Sequence, residues 1–357
     1  MARNSVFADM ASQDVTAAEF NILDGSDSGP LSHRNMIING EMQIAQRGTS
    51  FTSLGNGDSK FTLDRWKYVE EGTTASECTI SQSSDVPSGQ GFSKSLYLDV
   101  TTASGSLDSG HIQYLRYAFE GQDLQRLAYG TSSAKSMTLS FWAKSPLTGI
   151  HVVSLRGDSS SNNRTVSGTY TIASANTWEK HTITFPGDTS GTIANDNSAE
   201  LEMHFYLSAG TSKTSGTLST TWVSSNEANR AVGQVNVMVN TSYDFYLTGV
   251  QLELGSQASL FEHRSYGEEL ARCERYCQTV GMIAPLKQRE YDRSRACHVH
   301  LKTTMRANCT VPAITTTDGY NISLSNQSQH GFHCYYVANA DGVGGGINSG
   351  TIVTAAL

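Results

Sequence analysis

The sequence predicts a mainly β chain: a jelly-roll β-sandwich, preceded by an N-terminal segment with a short helix and followed by one linking helix and a small β-rich knob. Three observations carry this. Apolar and polar residues alternate with period two through much of residues 31–262, as in Leu201-Glu202-Met203-His204-Phe205-Tyr206-Leu207, and such alternation marks strands with one face on a core. Only 16% of the residues are charged, well below the usual ~25%, so Ser, Thr, Asn and Gly must supply the polar surface and the turns. Helical spacing is confined to two short stretches.

The first of these lies in residues 1–30. Asp14 to Gly25 reads as one helix, with Thr16 and Glu19 at capping-box spacing and Gly25 as its stop. Val15, Phe20 and Leu23 form an apolar stripe that so short a helix cannot bury, and isolated helices of this length are marginal in water. Five acids (Asp9, Asp14, Glu19, Asp24, Asp27) face one base, Arg3. The segment is therefore either disordered or docked on something else, with Gly25-Ser26-Asp27-Ser28-Gly29-Pro30 as a linker.

Residues 31–262 carry the sandwich. Strands are expected at 96–100, 137–143, 150–155, 177–185, 201–207 and 243–254, separated by polar turns at 85–91, 157–163, 186–197 and 209–216. Loops of this length suit Greek-key crossings rather than simple hairpins. Residues 263–278 read as the linking helix, with Tyr266, Leu270, Cys273 and Cys277 on one face. Nine Lys/Arg against five acids between Arg264 and Arg306 give that stretch a net charge of +4. Residues 279–357 form the small β-rich unit, with strands at 298–304 and 333–338. A unit of this size has little core of its own, and oligomerisation would supply one.

Composition restricts partners. A net charge of −8 and a pI near 5.7 argue against wholesale nucleic-acid binding. No apolar run approaches the ~20 residues of a membrane span, and Met1 to Met10 lacks the apolar centre of a signal peptide. The six cysteines are sparse and irregular, so they are expected as reduced thiols.

Motifs with chemistry are few. Arg156-Gly157-Asp158 is accounted for by a turn between strands. Gly57-Asp58-Ser59 and Gly157-Asp158-Ser159 lack a positioned base, and a serine without one is inert. Cys273, Cys277, Cys297, His298 and His300 lack the tight pairs of structural zinc sites. Packing in a helix–sheet seam explains the cysteines better, and no metal or cofactor is expected. Gly342 to Gly346 has no strand before it or helix after it, so it is not a phosphate loop. Trp66, Trp142, Trp178 and Trp222 are each expected in the core, Trp222 least firmly because the polar stretch Ser224-Ser225-Asn226 follows it. Tyr320, Phe332, His333, Tyr335 and Tyr336 sit among Asn, Gln and Ser, a mixture of rigid rings and adaptable polar groups that suits a recognition surface or an oligomer seam. Trp222 is the further candidate for such contact.

Several stretches together resemble a known family. Asn35-Met36-Ile37-Ile38-Asn39-Gly40-Glu41-Met42-Gln43-Ile44-Ala45-Gln46-Arg47-Gly48, then Asp64-Arg65-Trp66, is similar to the opening of the sandwich in fibre proteins of tailed bacteriophages, particularly marine and cyanobacterial ones. Pro186-Gly187-Asp188-Thr189-Ser190-Gly191, Gln251 to Ser256, Phe261 to Gly267 and Glu269 to Tyr276 continue the likeness, and Thr16 to Gly25 resembles a motif near fibre N-termini. Ser259-Leu260 stands where the family usually has Thr-Pro, and Cys277 where an aromatic is common.

The resemblance implies a non-enzymatic homotrimer of the virion tail, made in the cytoplasm of the bacterial host, with a sandwich like that of carbohydrate-binding modules. It implies docking on other tail proteins (an adaptor or nozzle) through the N-terminal segment, for which Val15, Phe20, Ile22 and Leu23 are the candidate contacts, and contact with a host surface glycan or protein through the outer end. A capsid-attached fibre or decoration protein is the first alternative. A polysaccharide depolymerase is the second, although the regular repeat of the usual β-helix is missing.

Overall fold

The computed structural model describes residues 33–55, 57–72, 75–157, 162–280, 294–311, 320–338 and 351–355, with the backbone alone in 294–297, 320–323, 334–338 and 351. The candidate docking residues Val15, Phe20, Ile22 and Leu23 lie outside these ranges.

Thirteen strands build a sandwich of two sheets, and every pairing in it is antiparallel. One sheet holds β1 (Ser50–Gly55), β4 (Glu77–Ser83), β5 (Ser95–Thr102), β13 (Phe245–Leu254), β7 (Met137–Lys144) and β10 (Glu179–Phe185), in that spatial order. The other runs β12 (Val223–Ser224), β9 (Arg164–Ile172), β8 (Gly149–Gly157), β11 (Ala199–Ala209), β6 (Ile112–Glu120), β3 (Lys67–Glu71) and β2 (Ser59–Phe61). The chain crosses repeatedly between the sheets, as a jelly roll requires.

Alternation fills the space between them. Leu139 and Phe141 of β7, Leu98 of β5 and Leu247 of β13 meet Leu115 of β6, Val153 of β8 and Met203 and Phe205 of β11, all fully buried. Each such side chain contributes about 1.5–3 kcal/mol on burial.

The expected alternation in β11 is present, yet its polar face is buried too. Glu202, His204, Tyr206 and Ser208 point away from the core and are covered. The cover is the connection between β11 and β13, which begins with α1 (Thr211–Thr214). Its Leu218 and Ala231 pack with Tyr114, Val152 and Tyr206 on the outside of the seven-stranded sheet. Arg230 fastens it, with its guanidinium 5.3 Å from the Tyr114 ring centroid and 2.9 Å from Glu71.

Residues 33–46, 64–66 and 250–276 meet at one seam. Asn35 donates from Nδ2 to the Val250 carbonyl (3.1 Å) and accepts at Oδ1 from the Ile37 amide (2.9 Å). Asn39, held at a positive φ of 61°, donates to the carbonyls of Ile44 and Asp64, both at 2.9 Å. The Trp66 ring N–H donates to the Asn39 carbonyl (3.1 Å). Glu262 accepts from the amides of His33 and Asn35. Buried backbone groups need such partners, so these polar residues do structural work in the loops.

The helix of this seam, α2 (Tyr266–Glu274), is shorter than the expected 263–278. Ser265 caps it by accepting from the Glu268 amide at 3.3 Å. It stops at Glu274 because Cys277 already pairs with Thr354: β14 (Cys277–Val280) lies antiparallel to β18 (Thr351–Thr354). Cys273 and Cys277 are buried as expected, but Tyr266 is 58% exposed and leaves the proposed face. Beyond lies a three-stranded sheet in the order β15 (Ser294–His300), β17 (Gly331–Ala338), β16 (Tyr320–Ser325). Its small core comprises Val280, Val299, Met305, Cys309, Val311, Phe332, Val353 and Ala355.

Candidate functional site

Two of the expected recognition residues belong to cores instead. Phe332 is fully buried among Val299, Met305 and Val311, because its register partner Val299 and the alternation of β17 turn it inward. Trp222 is only 9% exposed: it packs edge-on against Tyr129 (5.6 Å) and donates its ring N–H to the Pro186 carbonyl (2.7 Å). His333 is half-buried on the other side of β17, opposite His298, with ring centroids 4.8 Å apart. The side chains of Tyr320, Tyr335 and Tyr336 lie outside the described ones.

Among the described residues, no group of three His, Cys, Asp or Glu is arranged to hold a metal, and no helix is long and apolar enough to cross a membrane. Cys273 is buried and burial pushes its thiol well up, whereas His298 and His300 are exposed and within 2.9 Å of each other.

A different group of rings stands on the outer face of the six-stranded sheet. The register aligns Tyr97 of β5 with Tyr246 of β13, and Tyr246 with Lys144 of β7. Trp178 immediately precedes β10, whose first residue, Glu179, pairs with Ala143, so the indole falls into the same row. Tyr97 and Tyr246 stack at 4.4 Å. Trp178 meets Tyr246 edge-on at 6.0 Å. The Lys144 ammonium lies 4.2 Å from the Tyr246 ring and 5.5 Å from that of Trp178. One row over, Trp142 lies opposite Thr248 and Lys180. All four rings are half-buried.

Carboxylates fix this row. Asp85 accepts from the Trp178 ring N–H (2.9 Å) and pairs with Lys144. Burial raises the Asp85 pKa, but hydrogen bonds from Lys144 and Trp178 outweigh it and hold the carboxyl below its ordinary value. Asp244 accepts from the Tyr97 hydroxyl at 3.2 Å; burial, with Asp99 nearby, holds its carboxyl above the ordinary value. Beyond Tyr97 the row continues through Ser81 and Ser50, small side chains that leave room beside the ring. A row of partly exposed aromatic faces with acceptor and donor groups between them can hold a sugar chain by stacking and hydrogen bonding.

Sequence reasoning assigned Trp142 and Trp178 to the core and passed over Tyr97 and Tyr246. A signal was available: Tyr97 falls between Leu96 and Leu98, Trp142 between Phe141 and Ala143, and Tyr246 between Phe245 and Leu247. Each is an aromatic at the outward parity of its strand.

No family model matches the chain, and no curated protein matches it. Solved structures do resemble it. The enzymatically active domain of tailspike protein 4 from bacteriophage CBA120 aligns with 62% of this chain at 16% identity and a TM-score of 0.33, and the aligned part is 21% of that chain. A family 11 carbohydrate-binding module from a cellulosomal cellulase of Clostridium thermocellum aligns with 60% of this chain and 96% of its own, at 15% identity and a TM-score of 0.29. The N-terminal cellulose-binding domain of Cellulomonas fimi β-1,4-glucanase C covers 54% of this chain and 90% of its own, at 16% identity and a TM-score of 0.26.

Proposed function

We propose that the chain is a virion structural protein, a homotrimeric tail fibre of a tailed phage, whose sandwich holds a glycan of the host surface without cleaving it. The observation that carries this reading is the row Tyr97, Tyr246, Lys144 and Trp178 on an outer sheet face. Stacking platforms of this kind bind weakly singly, and three chains in a fibre, with several fibres on a particle, turn millimolar contacts into stable adhesion. The N-terminal segment, with its acidic residues and unburied apolar stripe, docks on the tail. The motifs of the seam resemble fibre proteins and support the same assignment.

The test is adsorption of phage carrying Tyr97→Ala or Trp178→Ala fibres, with chain mass by light scattering and melting curves measured first. The expected result is a trimer that folds and adsorbs at least tenfold less than wild type. Normal adsorption by both variants overturns the assignment of this face, and a monomeric wild-type chain overturns the trimer.

A further inference from the structure

A cleft elsewhere in the molecule shares no lining residue with the aromatic row. This half-open cleft of about 300 Å³ is bounded by residues 33–38, by β6 with the 3-10 turn that follows it (Gly121–Leu127), and by Arg272 and Tyr276. That volume is at the small end for small-molecule sites and suits one or two sugar units. Met36, Ile38, Phe119 and Leu124 give it an apolar wall.

Its charged groups fall into two sets. Most are already committed. Glu120 accepts from Arg275 (2.6 and 2.9 Å) and from the Tyr276 hydroxyl (2.6 Å). Arg272 pairs with Glu268 at 2.8 Å. Arg65 donates to the Ala118 carbonyl and lies against the rings of Tyr117 and Tyr276. Two are not. The Asp123 carboxylate accepts no hydrogen bond among the described residues, and neither it nor Arg126 forms an ion pair there. Arg126 makes one hydrogen bond, from Nη1 to the His33 carbonyl at 3.3 Å.

Residues three apart in a 3-10 turn stand nearly eclipsed, so an acceptor-only carboxylate and a donor-only guanidinium are presented side by side, unjoined, at the edge of an apolar wall. Burial, together with Glu120, holds the Asp123 carboxyl above its ordinary value, and burial lowers that of Arg126. Both residues are exposed, so a ligand in the cleft can reach them directly.

We infer that this cleft binds an uncharged saccharide unit through a vicinal diol, one hydroxyl donating to Asp123 and its neighbour accepting from Arg126, with the sugar's apolar face against the half-buried Met36 and Ile38. Each hydroxyl is both donor and acceptor, so the pair satisfies a diol without leaving a charge unmatched. A carboxylated or phosphorylated ligand would gain Arg126 but meet the repulsion of Asp123.

The experiment is saturation-transfer NMR on the full-length protein with D-glucose, D-galactose, D-mannose and D-galacturonate as probes. It is repeated on Asp123→Ala, Arg126→Ala and Trp178→Ala, with circular dichroism to confirm folding. The expected result is saturation of at least one neutral sugar, weakened tenfold or more by either Asp123→Ala or Arg126→Ala; any saturation lost in Trp178→Ala reports the sheet face and not the cleft. Three outcomes overturn the inference: no neutral sugar binds, galacturonate alone binds, or neutral binding survives both cleft substitutions. Loss only with Trp178→Ala also overturns it, while leaving the sheet face as the glycan site.

Discussion

The guanidinium of Arg65 lies 3.5 Å from the centroid of the Tyr276 ring, so the loop before β3 is held by the segment that leads out of α2. It also lies 4.8 Å from the Tyr117 ring centroid, and Nη2 donates to the Ala118 carbonyl. Arg65 is held at a positive φ of 73° and is 5% exposed. This one side chain therefore joins the sandwich, its loop and the entry to the C-terminal unit. Cation–π contacts that exclude water are worth about 2 kcal/mol, and hydrogen bonds to charged groups about 1.5–3 kcal/mol. Arg65→Ala is expected to lower unfolding stability by about 2–4 kcal/mol, read by urea denaturation, and to expose the tyrosines to solvent perturbation.

Acid should weaken the fold through its buried histidines. His151 lies inside β8, stacked on Tyr170 at 5.2 Å, and burial lowers its pKa to about 4. The unfolded chain takes up the same proton near the ordinary value of 6.5. Between those values the unfolded state binds more protons, so stability from this group is complete above about pH 6.5 and falls as pH drops towards 4, by up to about 3 kcal/mol. Burial among Arg116, Arg156 and Arg230 also holds His204 well below its ordinary value, adding to the same slope. Urea midpoints measured from pH 7.5 down to 4.5 should fall, and His151→Gln should make the descent shallower. A parallel descent in the variant would refute the assignment.

Phe332 and His333 are neighbours with opposite consequences. Phe332→Ala empties a fully buried position in a small core and should cost about 3–5 kcal/mol, felt as melting of the C-terminal unit. His333→Ala touches a half-buried side chain and should shift the melting temperature little. Adsorption lost by the first variant alone would therefore report unfolding rather than a missing contact.

The sandwich was legible because its strands bury one face and the residues alternate, as in Leu96 to Val100. What alternation could not disclose was a second cover. Glu202, His204 and Tyr206 read as a solvent face, yet the connection pinned by Arg230 buries them, a long-range event with no local mark in β11. The end of α2 at Glu274 was hidden for a similar reason, since the strand partner of Cys277 is 77 residues away at Thr354. The aromatic row was half legible: the parity of Tyr97, Trp142 and Tyr246 is local, while their alignment across β5, β13 and β7 depends on the register.

The buried thiols should be slow to react. Burial raises the pKa of Cys78, Cys273, Cys277 and Cys309, that of Cys277 to about 12. The thiolate is the reactive form, so iodoacetamide followed by peptide mapping should leave these four unmodified in the native chain and modify them after denaturation. Fast native labelling of Cys273 or Cys277 would mean that the seam between α2 and β14 opens.

The four tryptophans should divide into two pairs. Trp66 is fully buried and Trp222 nearly so, whereas Trp142 and Trp178 are half-buried on the outer sheet face. Acrylamide reaches indoles only where water does, so part of the emission should be quenched and part protected. Trp142→Phe and Trp178→Phe should each remove quenchable emission, and Trp222→Phe should remove protected emission. Trp178 is also the ring that a glycan on the row must touch, being fixed by Asp85 and edge-on to Tyr246. A bound glycan should therefore protect it, lowering the quenching of wild type and of Trp142→Phe. It should leave Trp178→Phe unaltered, apart from any contact with Trp142. A sugar confined to the cleft beside Asp123 and Arg126 would leave all these quenching curves as they were, because no tryptophan lines that cleft. Protection of Trp178 by a glycan thus reports the sheet face alone, and quenching that is identical with and without every glycan that supports adsorption would remove the row from the binding surface.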